Sequence, residues 1–382
     1  MNPFTAHSGV PGGRLRLRAA RRSRSGTGRR LPQDGGSVRA SRSGSGAGRT
    51  GKDASPVSEF SDRPLRVGGR ASAMALAQTE HVSRLLARLE PGLRTETVAT
   101  STEADRWPGE LSRLGGKGLF VKAIDEQLRR GEVDLAVHCL KDVPGDQPLP
   151  EGLTLAAVLP RADARDVLVV PAGSAVTSPG ELPAGATLAT SSVRRRAQLL
   201  AARPDLEIVP VRGAVGSRLE KLDGARAGLR ADGLVLARAG LERLGLTGRI
   251  VHHFGVEGRA DGIVPAVGAG VLALQCRADD VPVTRLLARL DDPRTRAEAS
   301  AERALLRGLR GHCNSPIAGH CTTEPDGRRT LRGLVFSPDG GRFVRAAASR
   351  GPEADPAALG TEVCAELLRQ GARELIDSVQ PG

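Results

Sequence analysis

Two His-Cys pairs lie close together in the segment GHCNSPIAGHC, residues 311–321, where His312 precedes Cys313 and His320 precedes Cys321. Both residue types bind zinc, and a thiol can also act as a nucleophile. The H-C-x6-H-C spacing is atypical of structural zinc sites, in which the paired ligands are closer together. A four-ligand metal loop, two buried thiols and one modified thiol are therefore open alternatives.

The cysteines indicate the compartment. There are five, at Cys139, Cys276, Cys313, Cys321 and Cys364, and they are scattered through 382 residues. This odd, sparse set is not a secreted disulfide framework, so we expect free thiols in a reducing cytoplasm. No run of 18 or more apolar residues occurs, and no transmembrane helix is expected.

The segment TSSVRRR, residues 190–196, is the best candidate anion site. Ser191 or Ser192 can cap a helix whose first turn carries Arg194 and Arg195. Helix N–H groups, hydroxyls and guanidinium groups would then converge on one spot. An ordinary capped helix with solvated arginines is the alternative.

The segment VRGAVGSRLEKL, residues 211–222, repeats this arrangement, with Arg212 at a strand end and Arg218 in the next helix. Arginines normally avoid the positive end of a helix dipole, so two such helices suggest carboxylate or phosphate ligands. Arginines that reach into solvent are equally compatible with the segment. The stretch GGKG could be a further cradle around Lys117, although its spacing is not that of a P-loop.

Lys141 and Asp142 follow the apolar strand VDLAVHCL, and Asp142 is one acid among many basic candidates. A helix cap or a lysine-paired turn residue is the simple interpretation. The functional alternative is a carboxylate that holds a cation or an N–H group beside bound anions.

Strands and helices alternate from Leu65 onward, which predicts an α/β protein with a mainly parallel sheet. Ligands of such sheets bind beyond the carboxyl ends of strands, where Lys141 and Asp142 are expected. From about Arg296 the pattern changes to a small α+β domain. It contains a helix, two antiparallel strands joined at Pro-Asp-Gly-Gly, and one closing helix.

Residues 1–64 hold thirteen Arg or Lys against four Asp or Glu, so +9 of the formal charge of +13 falls there and +4 remains. The basicity is thus not spread over a nucleic-acid-binding face. This Arg-, Ser- and Gly-rich segment cannot bury enough apolar surface to fold, and we expect a disordered basic tail. A transit peptide, a nucleic-acid-binding arm and translation from upstream of the true start are the alternatives.

Together, the motifs GGKGLFVK, DLAVHCLKDVP, TSSVRRRAQL, VPAVGAG and GHCNSPIAG resemble the porphobilinogen deaminase (hydroxymethylbilane synthase) family, in one order from Leu65 to Ser378. The resemblance implies two periplasmic-binding-protein-like α/β domains and a small α+β C-terminal domain that carries the cofactor cysteine. The implied boundaries are 65–162 with 266–288 for domain 1, 163–262 for domain 2 and 293–382 for domain 3.

The resemblance also implies an activity, the head-to-tail condensation of four porphobilinogen units with release of ammonia, in tetrapyrrole (porphyrin) biosynthesis. It implies a dipyrromethane cofactor joined to Cys313 by a thioether, with Asp142 as the catalytic aspartate and Lys141 as a further catalytic residue. Asp142 would bind pyrrole N–H groups and stabilise the cation formed when ammonia leaves. A cytoplasmic monomer that binds neither metal, nucleic acid nor membrane is expected.

Each pyrrole carries an acetate and a propionate, which explains the many basic residues. The residues that would hold these carboxylates by resemblance are Arg70, Ser72, Lys117, Thr190, Ser192, Arg194, Arg195, Arg212, Arg218 and Arg243. Bidentate pairing with carboxylates suits arginine better than lysine. Asp105 would belong to the lid.

Several positions depart from the family pattern, namely Ala104, Ala214, Ala269 and His312. The first stands where a Gly is usual, Ala214 replaces an Asn, Ala269 replaces a Gln, and His312 replaces a Gly. The charged and thiol groups are kept, whereas supporting residues are not. This pattern fits a divergent bacterial second copy. The alternative is a weak or inactive paralogue that acts as a polycarboxylate- or pyrrole-binding module.

Overall fold

The computed structural model describes residues 63–102, 118–257, 262–311 and 315–378. All of them belong to the unit Ser55–Gly382. Within these ranges no helix is long and apolar enough to cross a membrane. The predicted site residues Asp105, Lys117 and Cys313, together with His312, lie outside the described residues, as do residues 1–62 of the predicted tail.

The first sheet has five strands in the order β2-β1-β3-β10-β4. Its strands are β1 Leu65–Arg70, β2 Thr95–Thr100, β3 Leu135–Cys139, β4 Leu153–Val158 and β10 Leu272–Arg277. The helices beside it are α1 Ala73–Leu89, α2 Lys122–Arg129 and α6 Val281–Ala288. Ser72 caps α1, and the helical spacing of Val82 and Leu86 buries both side chains against the sheet.

The second sheet also has five strands, in the order β7-β6-β8-β5-β9. Its strands are β5 Asp166–Val169, β6 Thr187–Ala189, β7 Glu207–Val209, β8 Gly233–Ala237 and β9 His252–His253. Its helices are α3 Val193–Ala202, α4 Val215–Leu222 and α5 Arg238–Arg243. The order repeats that of the first sheet, because β6, β7 and β8 take the places of β1, β2 and β3, while β5 takes the place of β10.

Both sheets are mainly parallel, as expected, but each contains one antiparallel strand. In each sheet four of the five strands run in one direction, and the crossing strand, β10 or β5, pairs antiparallel with both of its neighbours. The cause is the path of the chain, which enters the second sheet through β5 and returns to the first through β10. The predicted fold class, two α/β regions and a smaller α+β region, is confirmed.

The third sheet has three antiparallel strands in the order β11-β12-β13. Its elements are α7 Pro293–Gly308, β11 Ile317–Thr323, β12 Arg329–Phe336, β13 Phe343–Arg350, α8 Pro356–Arg369 and α9 Ala372–Asp377. The predicted hairpin is confirmed as β12 and β13. The single closing helix is wrong: it is two helices, because Gly371 adopts a φ of +92° that ends the regular helix.

Helix α7 packs on two parts of the molecule. Its Ala301 and Leu305 join the apolar core of the third sheet with Ile317 and Leu331. Ala299, on the same helix, packs with Leu140, Val143 and Val158 at the end of the first sheet. Since burying a large aliphatic side chain contributes about 1.5–3 kcal/mol, these clusters fix α7 firmly between the two sheets.

We propose the domain boundaries expected from the sequence, with the strands of each sheet falling inside one proposed domain. Arg63, which belongs to the proposed tail and precedes β1 by two residues, contacts the first sheet region. Its Nη1 lies 2.7 Å from Oδ2 of Asp134, the residue before β3.

Candidate active site

A cleft of about 610 Å³ lies between the first and second sheets, at the carboxyl ends of β1, β3 and β8. The position agrees with the general placement of ligand sites in α/β proteins. The predicted site residues that line it are Arg70, Ser72, Lys141, Asp142, Arg194, Arg195, Arg212, Arg218 and Arg243. Residues separated by up to 173 positions are thus brought to one cleft.

Asp142 lies on the first side of the cleft, at the end of the 3-10 turn Leu140–Asp142 that follows β3. Its carboxylate is half-buried and has no hydrogen-bond or ion-pair partner among the described residues. Arg70 lies nearby at the end of β1, and its guanidinium carbon is 4.3 Å from the centre of the Phe120 ring. Within the described residues, an acceptor without a partner and a cation held on an aromatic face therefore line the same cleft.

His138 and Cys139, the last residues of β3, also line the cleft. Burial lowers the pKa of His138 to about 4, and its Nε2 is 2.9 Å from Gln275 Oε1. The amide of Gln78 donates to the Cys139 sulfur at 3.2 Å. Burial, reinforced by nearby Asp142, raises the pKa of Cys139. At neutral pH both groups are uncharged, so Asp142 supplies the negative charge at this strand end.

Asp166, at the start of β5, organises the second side of the cleft. Its Oδ2 accepts from Arg194 Nη2 and its Oδ1 from Arg195 Nη2, each at 2.7 Å. Burial by itself would raise the pKa of Asp166, but the two guanidinium groups hold it at about 2. Arg194 also donates to the Val264 carbonyl at 2.7 Å, so this triad fastens the returning chain as well.

Arg212 and Arg218 lack such an acid. The Nη1 of Arg212 is buried without a hydrogen-bond partner among the described residues. Arg218 Nε donates to the Gly213 carbonyl at 2.8 Å. Burial, together with the positive charges of Arg195 and Arg212, lowers the pKa of Arg218 to about 10. Cations crowded against one another in a cleft are typical of a site built for an anionic ligand.

The predicted hydroxyl ligands serve largely as caps. Ser72 Oγ accepts from Ala75 N at 3.3 Å, and Ser192 Oγ accepts from Arg195 N at 3.4 Å. Thr190 Oγ1 accepts from Ser192 N at 3.3 Å. Thr190 and Ser192 are not among the residues that line the cleft. Their roles towards a ligand therefore stay predictions.

Two of the departing positions lie in the cleft. Ala214 occupies the N-cap of α4 and provides no side-chain cap, whereas an Asn there would accept from the helix. The carbonyl of Ala269 accepts from Arg161 Nη1 at 2.8 Å, so its backbone role does not depend on the side chain. The lost groups thus supported the cleft rather than supplying its charge.

His320 and Cys321 lie in β11 and are buried, as the packing interpretation expects. Burial, with Glu302 and Glu298 nearby, raises the pKa of Cys321 to about 12. A zinc ligand would have to be a thiolate. No cluster of three or more potential metal ligands occurs within the part of the chain that the structure describes.

Several cleft residues were not singled out from the sequence, namely Gln78, Phe120, His138, Cys139, Asp163 and Asp166. The one usable signal was an acid at the start of the apolar strand DVLV, because a buried acid needs a cationic partner. Nothing in the sequence around Gln78 marks it, since it lies mid-helix among ordinary helix formers.

Comparison with known proteins gives one consistent family. Residues 65–285 match the family model described as "Porphobilinogen deaminase, dipyromethane cofactor binding domain". Residues 296–369 match the model described as "Porphobilinogen deaminase, C-terminal domain".

Curated relatives carry the same description. A protein named "Porphobilinogen deaminase 2" from Streptomyces coelicolor is 50% identical over 315 residues, covering 82% of this chain and 97% of the relative. A "Porphobilinogen deaminase" from Syntrophotalea carbinolica is 43% identical over 318 residues, covering 83% and 96%.

Matches among solved structures include a periplasmic substrate-binding protein of an ABC transporter from Coxiella burnetii. It is 17% identical with a TM-score of 0.36, and 63% of this chain and 96% of that chain are covered. The family models span both α/β regions and the C-terminal region. The chain therefore belongs to the porphobilinogen deaminase family.

Proposed function

We propose that this protein condenses four porphobilinogen units head to tail, releasing ammonia at each step, to give hydroxymethylbilane. The observation that carries the proposal is the position of the Asp142 carboxylate, which has no partner in the described part of the chain, in a cleft whose other charged side chains are mostly arginines. The product is a chain of pyrroles with two carboxylates on each ring. Such a ligand presents N–H donors along its centre and anions along its edges, which matches this distribution of charge.

The residues of the cleft fit a dipyrromethane cofactor on their own chemistry. Arg212 has a buried guanidinium nitrogen without a partner, and Arg218 is held among cations; both would be satisfied by carboxylates. Asp142 would accept the pyrrole N–H groups. When bound, the dipyrromethane supplies the starting pyrrole to which the substrate units are added.

Asp142 would do two things in each condensation. Its carboxylate would hold a pyrrole N–H in position, and it would stabilise the positive charge that develops on the substrate as ammonia leaves. Because no described residue pairs with the Asp142 carboxylate, its negative charge would be available to the reacting ring. Lys141 lines the cleft beside it and would contribute a positive charge towards a carboxylate.

The arginines would bind and orient the growing chain. Arg70, Arg212, Arg218 and Arg243 come from both sides of the cleft, so side chains of different rings could be held at once. Arg194 and Arg195 each keep donors beyond those given to Asp166, and they would add positive charge to the same side. Orientation by several charge-assisted hydrogen bonds would exclude unproductive ring placements.

The remaining roles are proposed from the family resemblance. Cys313 would carry the cofactor as a thioether, Lys117, Thr190, Ser192 and Ser72 would support its carboxylates, and Asp105 would belong to the lid. We further propose a cytoplasmic monomer that needs neither nucleic acid nor a metal.

The mass of the intact protein tests this function most directly. We expect purified protein to exceed the chain mass by one dipyrromethane, and Cys313→Ser to remove the increment. Cys321→Ser is the matched control and should keep it, because Cys321 is buried in β11. Ammonia release from porphobilinogen should accompany the increment.

An unmodified Cys313 in protein made with substrate available would contradict the proposal. Binding of porphobilinogen by calorimetry without ammonia release would instead support the pyrrole-binding module.

A further inference from the structure

The position of Asp142 depends on its backbone, because no described side chain holds the carboxylate. The turn that carries it is short. Leu140 N donates to the Val271 carbonyl at 3.0 Å, and Val143 N donates to the Leu140 carbonyl at 3.1 Å. These bonds fix the start of the turn, whereas the carbonyls of Val143 and Pro144 just beyond Asp142 need other donors.

Those donors come from helix α7, about 160 residues further along the chain. Arg303 Nη1 donates to the Val143 carbonyl at 3.2 Å, and Arg303 Nη2 donates to the Pro144 carbonyl at 2.9 Å. One planar guanidinium group thus holds two successive carbonyls. Leu306, one turn later, packs on Gly145 so closely that a Cβ there would lie 2.7 Å from Leu306 Cδ2.

The residue before Arg303 fixes the opposite side of the same turn. Glu302 Oε2 accepts from Gly268 N at 2.7 Å. Gly268 has a φ of +74°, and a Cβ on it would lie 2.9 Å from the backbone nitrogen of Lys141. The turn is therefore held between the Gly268 backbone and the Arg303 guanidinium, and consecutive residues of α7 control both.

Glu302 is itself rigid, which makes the arrangement stiff. Its Oε1 accepts from Arg161 Nη2 at 3.0 Å and from Cys321 N at 2.8 Å. The helix is thereby tied to the first crossing of the chain and to β11. A fixed helix can transmit its own position to the turn through Arg303.

Burying the charged Arg303 side chain costs more free energy than burying an apolar side chain of similar size. Arg303 is half-buried, its described hydrogen bonds go to neutral carbonyls, and burial with nearby Arg307 lowers its pKa while Asp146 partly opposes this. A methionine would fill the space without the cost of desolvating a charge. What methionine cannot do is hold two carbonyls at a defined distance.

We propose that Arg303 is a positioning residue for Asp142: its two hydrogen bonds set the height of the turn, and so of the carboxylate, in the cleft. The inference rests on the proposed function. Arg303 is not among the described residues that line the cleft, and it would act through the backbone of Val143 and Pro144. Helix α7 ends at Gly308, five residues before Cys313 in the sequence, so the chain joins Asp142's support directly to the segment of the proposed cofactor attachment.

Arg303→Met tests the proposal against Arg296→Met. Arg296 lies on the same helix and also donates to carbonyls of the first sheet, those of Leu155 at 3.4 Å and Ala156 at 3.1 Å. These carbonyls belong to β4, which β10 separates from β3 and the Asp142 turn. We expect Arg303→Met to lower kcat by about 10–100-fold, since misplacement of a catalytic group by about 1 Å has effects of this size. KM should change by less than about threefold, because the carboxylate-binding arginines are untouched.

The dipyrromethane increment should remain in Arg303→Met, which separates misplacement of Asp142 from loss of the cofactor. Arg296→Met should keep kcat within about threefold of the wild type. Arg303→Lys should recover part of the loss, because one ammonium group can reach one carbonyl but lacks the planar fork. If Arg303→Met does not fold, the kcat of Arg303→Lys tests the proposal in its place.

Two outcomes would overturn this inference and leave the proposed function standing. In the first, the wild type is active and both Arg303→Met and Arg303→Lys have a kcat near that of the wild type. In the second, Arg303→Met and Arg296→Met lose kcat equally. A wild type that releases no ammonia would overturn the proposed function and this inference together. Normal kcat with a raised KM in Arg303→Met would also contradict it, because that pattern belongs to a binding residue.

Discussion

The two sides of the cleft share one strand order but use their carboxylates in opposite ways. On the first side Asp142 follows β3 and has no described partner, whereas on the second side Asp166 opens β5 and is fully paired with Arg194 and Arg195. The sheets are equivalent down to the antiparallel crossing strand. Topology therefore fixes where functional side chains can lie, and local pairing decides what each one does.

This difference separates Asp142, the proposed catalytic acid, from Asp166, whose described partners are structural. Asp166 neutralises one of two buried cations and holds both in place, at a cost in desolvation that its partners offset. Asp142 lines the cleft and has no ion-pair partner among the described residues. Removing the charge of each acid should then affect different measurements, turnover in one case and stability in the other.

Asp142→Asn should produce the largest effect. Without the negative charge, the developing cation and the pyrrole N–H lose their acceptor, and we expect kcat to fall by about 10²–10⁴-fold. The thermal midpoint should stay near that of the wild type, because no described partner is left unpaired. Steady-state assay of ammonia release with a thermal melt checks both expectations. A kcat within tenfold of the wild type would remove Asp142 from the proposed mechanism.

Asp166→Asn should act on stability. Two buried guanidinium groups would lose their counter-charge, and the free energy of unfolding should fall by about 3–5 kcal/mol. Asp163→Asn is the matched control, since Asp163 pairs with Arg165 and Arg238 but is partly exposed. Its expected loss is about 0–1 kcal/mol. Urea denaturation measures both, and equal losses would mean that the triad is not a special structural element.

The parts of the fold that were predictable from the sequence depend on neighbouring residues. The strand VDLAVHCL, the turn at Lys141 and Asp142, and the Ser192 cap follow from apolar runs and capping chemistry within one short segment. The hairpin of β12 and β13 was likewise marked by its Pro-Asp-Gly-Gly turn. Local signals of this kind survive in most tertiary contexts.

What was not predictable depends on residues far apart in the chain. Strands β5 and β10 each run antiparallel to the other strands of their own sheet. Their direction follows from how the chain crosses between the sheets, and no local sequence pattern predicts it. The partner of Arg194 and Arg195 lies on another strand, so their role as structural cations was hidden from sequence reasoning. Arg303 donates to backbone carbonyls. Every residue has such a carbonyl, so the amino-acid types at the acceptor positions cannot predict the contact.

A second buried acid, Asp125 on α2, extends the comparison to pH. Its Oδ1 has no hydrogen-bond partner among the described residues. Burial raises its pKa to about 6, although a hydrogen bond from Gln275 and the charge of Arg129 oppose the rise. Asp166 is the reverse case, with a lowered pKa, so its contribution to stability is complete above about pH 4 and lost as pH falls towards 2.

Asp125→Asn should therefore flatten the pH dependence of stability. A carboxyl with a raised folded pKa binds its proton more tightly in the folded state, so wild-type stability should fall as pH rises from about 4 to 6 and stay low above. A shift of about two pKa units corresponds to about 2–3 kcal/mol.

His138 titrates with the opposite sign in this window, because burial lowers its pKa to about 4. Since both proteins contain His138, the difference in unfolding free energy between variant and wild type isolates Asp125. We expect the variant to gain relative to the wild type between pH 4.5 and 7.5. Substitution of the partly exposed neighbour, Glu126→Gln, should change stability by less than about 1 kcal/mol at either pH. A difference that is equal at both pH values would mean that burial does not raise the pKa of Asp125 and that this carboxyl, like Asp166, is an anion in the folded protein.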